Sequence, residues 1–303
     1  MPHDHHHHHH HHAGEGGDRR VALAIAVNVV LSAAQIVGGV FAGSVALIAD
    51  AVHNLSDAAA LGLAFAARRI ARRPADARMT FGYGRAEVVA ALINYTALIV
   101  ISIWLAAEGV MRLIHPPAVQ GWVVVWLAGL ALVINGGTAA LTFALSKDSM
   151  NIRAAFLHNL GDAATSLAVM VAGTLIILYD WRLIDPLVTL AISGWMLWLC
   201  VTEIGPVIRI LMLGAPPGVP AAEVLARISS MDGVEDVHHL HLWQIDEHET
   251  SVEAHLVLGG DAAEVAARVR TMLLRDFQIH HATLAIETED TRCRNAPDIG
   301  CAA

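Results

Sequence analysis

The chain has 303 residues, of which 55% are hydrophobic and 16% are charged, and its formal net charge is −9. Average globular domains are about 45–50% apolar and about 25% charged, so the apolar excess predicts segments that cross a membrane. The sequence has no basic patch with interleaved aromatic residues, and we expect no nucleic-acid partner.

The N-terminal segment, residues 1–18, is polar and contains an unbroken histidine run from His5 to His12. A run of histidine alone is typical of an affinity tag, whereas the start MPHD is unusual for vector sequence, so both origins stay open. We predict that the segment is disordered and binds metal ions weakly. The apolar run that follows it is too long for a cleaved signal peptide.

Six apolar segments follow within residues 19–213, and each is long enough to cross about 30 Å of hydrocarbon. They cover approximately residues 20–42, 45–67, 86–114, 119–146, 152–179 and 185–212. The connectors after the second and fourth segments are basic, which places them in the cytoplasm by the positive-inside rule. Six spans of a plasma (inner) membrane then leave both termini in the cytoplasm.

Two copies of one motif lie inside these segments, His53-x-x-x-Asp57 in HNLSD and His158-x-x-x-Asp162 in HNLGD. Residues four apart share a helix face, and ionisable residues are costly in a bilayer unless they serve a pathway or a partner. A lone intramembrane histidine is often only a packing residue, but the repeated carboxylate argues against that interpretation. Two nitrogens and two oxygens suit tetrahedral Zn²⁺. We therefore predict one metal transport site on His53, Asp57, His158 and Asp162.

A change in composition at residues 213–218 ends the membrane part, and residues 214–290 have the pattern of a small cytoplasmic domain. We predict helices over 220–231 and 261–275 and strands over 234–245, 250–258 and 281–287. The order αββαβ suggests a ferredoxin-like α/β fold, which dimerisation or a bound metal would stabilise. Residues 291–303 are predicted to be a flexible tail, in which the roles of Cys293 and Cys301 stay open.

The runs SVALIADAVHNLSDA, TFGYGRAE and HNLGDAATS, with the αββαβ end of the chain, resemble the cation diffusion facilitator family of the zinc-transporting type. The resemblance extends over nearly the whole chain. It implies a homodimer in the lipid bilayer that exports zinc, or another divalent cation, in exchange for protons by alternating access. It also implies a structural or regulatory Zn²⁺ in the cytoplasmic domain on His238, His255 and Glu287, in a shell that a partner subunit could complete.

Some members of that family carry a further metal site in the connector between the second and third spans. The corresponding stretch here, PADARMTFGYGR, offers Asp76 but has Met79 and Tyr83 where the histidines of that site would stand. We therefore expect no metal site there and a loop or capping role for Asp76.

Two other classes of protein place histidine and aspartate in membrane segments. An intramembrane metalloprotease needs an HExxH-type helix and an open coordination position, and the sequence contains no HExxH, so we expect no enzyme. A membrane protein that binds or senses metal without transporting it needs the same motifs, and it is the alternative function. The ranking of zinc, cadmium, cobalt and nickel stays open, because nitrogen and oxygen ligands accept all four.

Overall fold

The computed structural model describes residues 15–143, 150–288, 290–293 and 296–300. The histidine run and Cys301 lie outside the described residues. The described chain begins with six long helices: α1 (Glu15–Ala42), α2 (Val45–Ala71), α3 (Arg85–Ile114), α4 (Gly121–Phe143), α5 (Met150–Tyr179) and α6 (Ile184–Leu211). Each predicted apolar segment therefore contains a long helix, and α1 begins inside the segment that was predicted to be disordered.

Four stretches of these helices are long and apolar enough to cross a membrane, counting described residues only. They are Arg85–Ile114, Gly121–Ala140, Phe156–Tyr179 and Ile184–Leu211. In α1 the described apolar stretch, Ala26–Ala42, is shorter. That all six helices span the membrane stays a prediction.

Large apolar side chains cover the outer surface of the long helices. Phe41 on α1, Trp104 on α3 and Trp126 on α4 are 77%, 56% and 74% exposed. Monomeric soluble proteins rarely present such extensive apolar surface to water. These helices therefore have the surface expected of segments surrounded by lipid.

The chain forms two compact units, and the first comprises the residues up to Leu61 together with Leu98–Leu199. Small residues in its core let the helices approach closely. For example, a Cβ atom at Gly121 would lie 2.7 Å from the carbonyl oxygen of Gly173, at a contact between α4 and α5. All six helices contribute to this core, which contains Ala42, Val45, Ala46, Leu47, Ala49, Leu105, Val124, Ala128, Val169, Ile192 and Met196.

The second unit comprises Gly62–Ala97 and Cys200–Ala303. After its helical part come α7 (Ala221–Ser229), β1 (Val234–Gln244), β2 (Thr250–Leu258), α8 (Ala262–Phe277) and β3 (His281–Glu287). The sheet has the order β1-β2-β3, with β1 antiparallel and β3 parallel to β2. The predicted order αββαβ is therefore observed, and α8 is the crossover between the parallel strands. The ferredoxin-like assignment stays a prediction.

The α/β part has its core on one face of the sheet, under α7 and α8. Val252, Ala254 and Leu256 of β2 point into this core, so the alternation of the strand turns His255 to the opposite face. The Asp261 side chain accepts hydrogen bonds from the first turn of α8, as the predicted N-cap requires.

Candidate metal centres

The two His-x-x-x-Asp pairs of the sequence lie on α2 and α5, and their side chains meet. His53 Nε2 is 3.3 Å from Asp162 Oδ1, and His158 Nε2 is 3.5 Å from Asp57 Oδ2. His158 Nε2 also lies 3.7 Å from Asp162 Oδ2, within its own helix. Each histidine therefore contacts the carboxylate of the other helix, and the two pairs form one cluster.

Three members of this cluster are gathered most closely, because donor atoms of His53, Asp57 and Asp162 all lie within 4.8 Å of one another. His158 lies at the edge of the cluster, and its ring centroid is 6.5 Å from that of His53. Its side chain is 52% exposed, whereas that of Asp162 is 9% exposed. Two imidazoles and two carboxylates are borderline-soft and hard donors, a set that suits Zn²⁺ better than Ca²⁺ or Mg²⁺.

The start of α2 is fixed by a buried cap. The Asp185 carboxylate accepts hydrogen bonds from the Ser44 hydroxyl and, at 2.9 Å, from the N–H of Val45. A carboxylate is favourable at a helix N-terminus, where the N–H groups have no partner within the helix. Gly43 just before it has a φ of 71°, a left-handed conformation that favours glycine. The position of His53 along α2 is thus set from the beginning of the helix.

The sequence analysis missed Asp50, which lies one helical turn before His53 and is 0% exposed. Its carboxylate accepts hydrogen bonds from Gln35 Nε2 at 2.8 Å, from the Thr165 hydroxyl at 3.1 Å and from the Ser166 hydroxyl at 3.2 Å. It therefore connects α1, α2 and α5 beside the cluster. The available signal was a second acidic residue within the same apolar segment.

The predicted cytoplasmic ligands lie on three neighbouring strands. His238 of β1 is paired directly with His255 of β2, which is in turn paired with Ala285 of β3. Glu287 follows two residues after Ala285, so it projects from the same face of the sheet as His255. Strand pairing therefore gathers all three side chains.

These three side chains are within hydrogen-bond distance. Glu287 Oε2 is 3.0 Å from His238 Nε2, and Glu287 Oε1 is 2.6 Å from His255 Nδ1. Burial alone would raise the pKa of the Glu287 carboxyl, but hydrogen bonds from the Cys293 N–H and from His255 outweigh it and hold that pKa at about 2. Glu287 is therefore an anion that can ligate a metal without first losing a proton.

A β-bulge orients the most buried of these ligands. The register of β1 against β2 shifts between His238 and His241, and His239 has a φ of 52°. Bulges often redirect side chains at functional sites. The redirected His238 is 3% exposed, and its Nδ1 lies 2.9 Å from Asp236 Oδ2. Asp236, which the sequence analysis also missed, leaves His238 Nε2 facing the cluster.

Cys293, whose role the sequence left open, joins this cluster. Its Sγ lies 3.3 Å from Glu287 Oε1 and 3.8 Å from His255 Nδ1, and its N–H donates to Glu287 Oε2 at 3.1 Å. The hydrogen bond to Glu287, with burial, raises the pKa of the thiol. Donor atoms of His238, His255, Glu287 and Cys293 all lie within 4.8 Å of one another.

Asp76 in the connector before α3 has a structural role. Its carboxylate accepts hydrogen bonds from the N–H groups of Arg78 and Met79 at 2.7 and 2.9 Å and from the Tyr83 hydroxyl at 2.8 Å. These bonds lower the pKa of Asp76, with the largest effect from the N–H of Met79. Asp76 therefore has the loop role that the sequence predicted for it.

Comparisons with known proteins find relatives over both parts of the chain. The family model described as the cation efflux transmembrane domain matches residues 21–212, and that of the cytoplasmic domain of cation efflux proteins matches residues 216–289. The metal cation efflux system protein CzcD of Cupriavidus metallidurans is 33% identical over 94% of this chain and 89% of its own length. The zinc transporter ZitB of Escherichia coli is 32% identical over 95% of this chain and 93% of its own. A cadmium, cobalt and zinc/H(+)-K(+) antiporter of Bacillus subtilis is 30% identical over 98% of this chain and 95% of its own.

Proposed function

The chain belongs to the cation efflux family, which its motifs predicted, and from this membership we propose that it exports zinc from the cytoplasm in exchange for protons. It is a metal cation efflux transporter of a membrane, related to carriers of zinc, cadmium and cobalt. The proposal further specifies the transported ion, its coupling to protons and the residues that bind both.

The observation that carries the proposal is the cluster between α2 and α5. His53, Asp57, His158 and Asp162 offer two nitrogen and two carboxylate donors, and each histidine contacts the carboxylate of the opposite helix. Buried charges need partners, and a divalent cation compensates two carboxylates at once. Because the site is shared by two helices, movement of one helix against the other can open or distort it.

Proton exchange follows from the chemistry of these ligands. Imidazole must be neutral and carboxylate ionised to bind a metal, so zinc and protons compete for the same atoms. Zinc that enters from the cytoplasm displaces protons from the cluster, and protons that enter from the opposite side displace the zinc. Tilting of α2 and α5 against the other helices provides alternating access.

We propose a homodimer in the inner (plasma) membrane, with six spans per subunit and both termini in the cytoplasm. The match of residues 216–289 to a cytoplasmic domain of cation efflux proteins supports this orientation. The basic connector between α2 and α3, with its arginine cluster, supports it independently.

In the cytoplasmic domain, His238, His255 and Glu287 are proposed to hold a structural or regulatory zinc ion. Their donor atoms converge from three strands, and the low pKa of Glu287 keeps its carboxyl ionised at neutral pH. Bound zinc would link the three strands and stabilise a small domain.

Zinc flux into proteoliposomes tests the transport site. Purified wild-type protein should move zinc across the vesicle membrane, whereas Asp57→Ala and Asp162→Ala should abolish the flux while the variants stay folded. Asp180→Ala is the matched control, because it removes an exposed carboxylate that pairs with Arg182 at 2.8 Å. Flux that persists in both cluster variants contradicts the site, and zinc binding without any wild-type flux supports the metal-sensing alternative.

A further inference from the structure

The described residues that follow β3 lie against the sheet beside the cytoplasmic cluster. We call residues 290–293 and 296–300 the C-terminal tail. Its carbonyl groups at Pro297 and Asp298 accept hydrogen bonds from the N–H groups of His239 and Leu240, at 2.9 and 3.0 Å. The N–H of Gly300 donates to the carbonyl of Leu240 at 3.1 Å. The tail therefore pairs with β1 along its backbone.

The bulge in β1 explains why the tail pairs at this position. The register with β2 is interrupted between His238 and His241, so the two intervening residues have no partner in the ladder. Backbone N–H groups need an acceptor, and the tail carbonyls supply it. The distortion that turns His238 into the cluster thus also creates the docking position of the tail.

Two tail side chains reach the cluster from this position. Arg292 Nη2 lies 2.9 Å from Asp236 Oδ2, and Asp236 in turn contacts His238. Cys293 Sγ lies beside both Glu287 and His255. The tail therefore covers the cluster with a guanidinium on one side and a sulfur donor on the other.

The donor separations fit zinc. Bonds of about 2.0 Å to nitrogen or oxygen and about 2.3 Å to sulfur place the donors of a tetrahedral site about 3.3–3.6 Å apart. Cys293 Sγ is 3.3 Å from Glu287 Oε1 and 3.8 Å from His255 Nδ1. His238 Nε2 is 3.0 Å from Glu287 Oε2. These separations need adjustments of a few tenths of an ångström to form a closed four-ligand site, whereas His255 Nδ1, now 2.6 Å from Glu287 Oε1, has to move away by about 0.7 Å.

We infer that Cys293 is the fourth zinc ligand of the cytoplasmic site, and that the C-terminal tail is a zinc-dependent clasp that closes over the site of its own subunit. The inference rests on the proposed cytoplasmic site and extends it, because the same chain then completes the shell. Zinc replaces the proton of the thiol, and the proton goes to solvent. Without zinc, the tail is held by three backbone hydrogen bonds to β1, by the hydrogen bonds of Cys293 to Glu287 and by a partly exposed ion pair, and exposed ion pairs contribute little.

Cobalt substitution in the full-length protein tests the ligand. Co²⁺ bound by wild-type protein should show a thiolate-to-metal charge-transfer band, and Cys293→Ser should abolish the band. The affinity of Cys293→Ser for zinc at this site should fall at least about tenfold, since even residues that only hydrogen-bond to a metal ligand contribute about 10–100-fold. Cys301→Ser is the matched control and should keep the band. Cys293→His should restore the affinity without the band.

Hydrogen exchange tests the clasp. Zinc should slow exchange at the amides of His239, Leu240 and Gly300 in the wild type, while in Cys293→Ser their exchange should be independent of zinc. Equal zinc protection in wild type and Cys293→Ser overturns the clasp.

Different results would contradict the cytoplasmic zinc site and the Cys293 clasp. If His255→Ala weakens zinc binding but the wild type shows no thiolate band, the clasp is wrong and the cytoplasmic site stands. If His255→Ala leaves binding unchanged, the cytoplasmic site fails and the clasp fails with it. Zinc flux in vesicles, which depends on the α2–α5 cluster, is measured separately from both.

Discussion

Asp50 offers a sharp prediction, because the structure makes it a positioning residue for the α2–α5 cluster. The perturbations are Asp50→Ala, which removes the acceptor, and Asp50→Asn, which keeps the shape of the side chain and one acceptor oxygen. Both should loosen the contact of α2 with α1 and α5. Zinc affinity at the cluster should fall together with the stability of the protein.

The expected loss of stability depends on whether each hydrogen-bond donor to Asp50 keeps another acceptor after the substitution. In Asp50→Ala, Gln35 and Ser166 lose this acceptor, whereas the Thr165 hydroxyl keeps the Asp162 carbonyl at 2.9 Å. Leaving a buried donor unsatisfied costs about 1–3 kcal/mol, so two donors cost about 2–6 kcal/mol. In Asp50→Asn the new amide N–H₂ faces one of the donors, and the loss should be about 1–3 kcal/mol.

Unfolding in mixed detergent micelles, with zinc titration calorimetry on the same samples, measures both quantities. Asp180→Asn is the control, because Asp180 is exposed and pairs only with Arg182 among the contacts described. Full stability with lost zinc binding in Asp50→Asn would refute the reasoning, since Asp50 would then act as a ligand. Unchanged stability and unchanged affinity would refute it as well.

Three further predictions concern single side chains. Asp162→Asn should weaken zinc binding at least about 100-fold and more than Asp57→Asn does, as titration calorimetry can show, because Asp162 contacts both histidines. With its pKa at about 2 in the fold against an ordinary 4.5, Glu287 stabilises the metal-free protein above pH 4.5, and that contribution is lost as the pH falls to about 2. Thermal unfolding in EDTA should show this pH dependence, and Glu287→Gln should remove it. Arg85→Ala should lower the free energy of unfolding by about 1–3 kcal/mol, because Arg85 donates to two backbone carbonyls at 2.8 and 3.3 Å, whereas exposed Arg69→Ala should not.

Local signals in the sequence predicted the elements well. Long apolar runs gave the six helices, and alternation gave β3 with the bounds 281–287 that the structure has. The N-cap residue Asp261 marked the start of α8, because the capping interaction lies within one turn of helix and can be read from local sequence. None of these predictions required knowledge of how the elements pack.

The placement of the paired histidines and aspartates on α2 and α5 was predictable in part. The spacing of four residues puts His53 beside Asp57 on any helix, and the second copy indicated a partner pair. The crossed contacts, with His53 on Asp162, depend on the packing of α2 against α5 and have no local signal. Asp50 was missed because its partners come from α1 and α5, far along the chain.

The cytoplasmic cluster was harder to predict for a related reason. His238, His255 and Glu287 followed only from the resemblance to a family, since their convergence depends on strand register and on a bulge. Asp236 had no pattern around it that indicates a metal site, and Cys293 had only the weak signal of a second cysteine eight residues later, at Cys301. Cys293 joins the cluster only because the tail folds back onto β1, and a contact of that kind is fixed by tertiary structure.

Simultaneous recording of zinc and proton movement in the same proteoliposomes decides whether the α2–α5 cluster exchanges one for the other. We predict that zinc movement through the wild-type protein is accompanied by proton movement in the opposite direction, and that Asp162→Asn abolishes both. Zinc flux without proton movement, or coupled flux that persists in Asp162→Asn, would contradict exchange at this cluster.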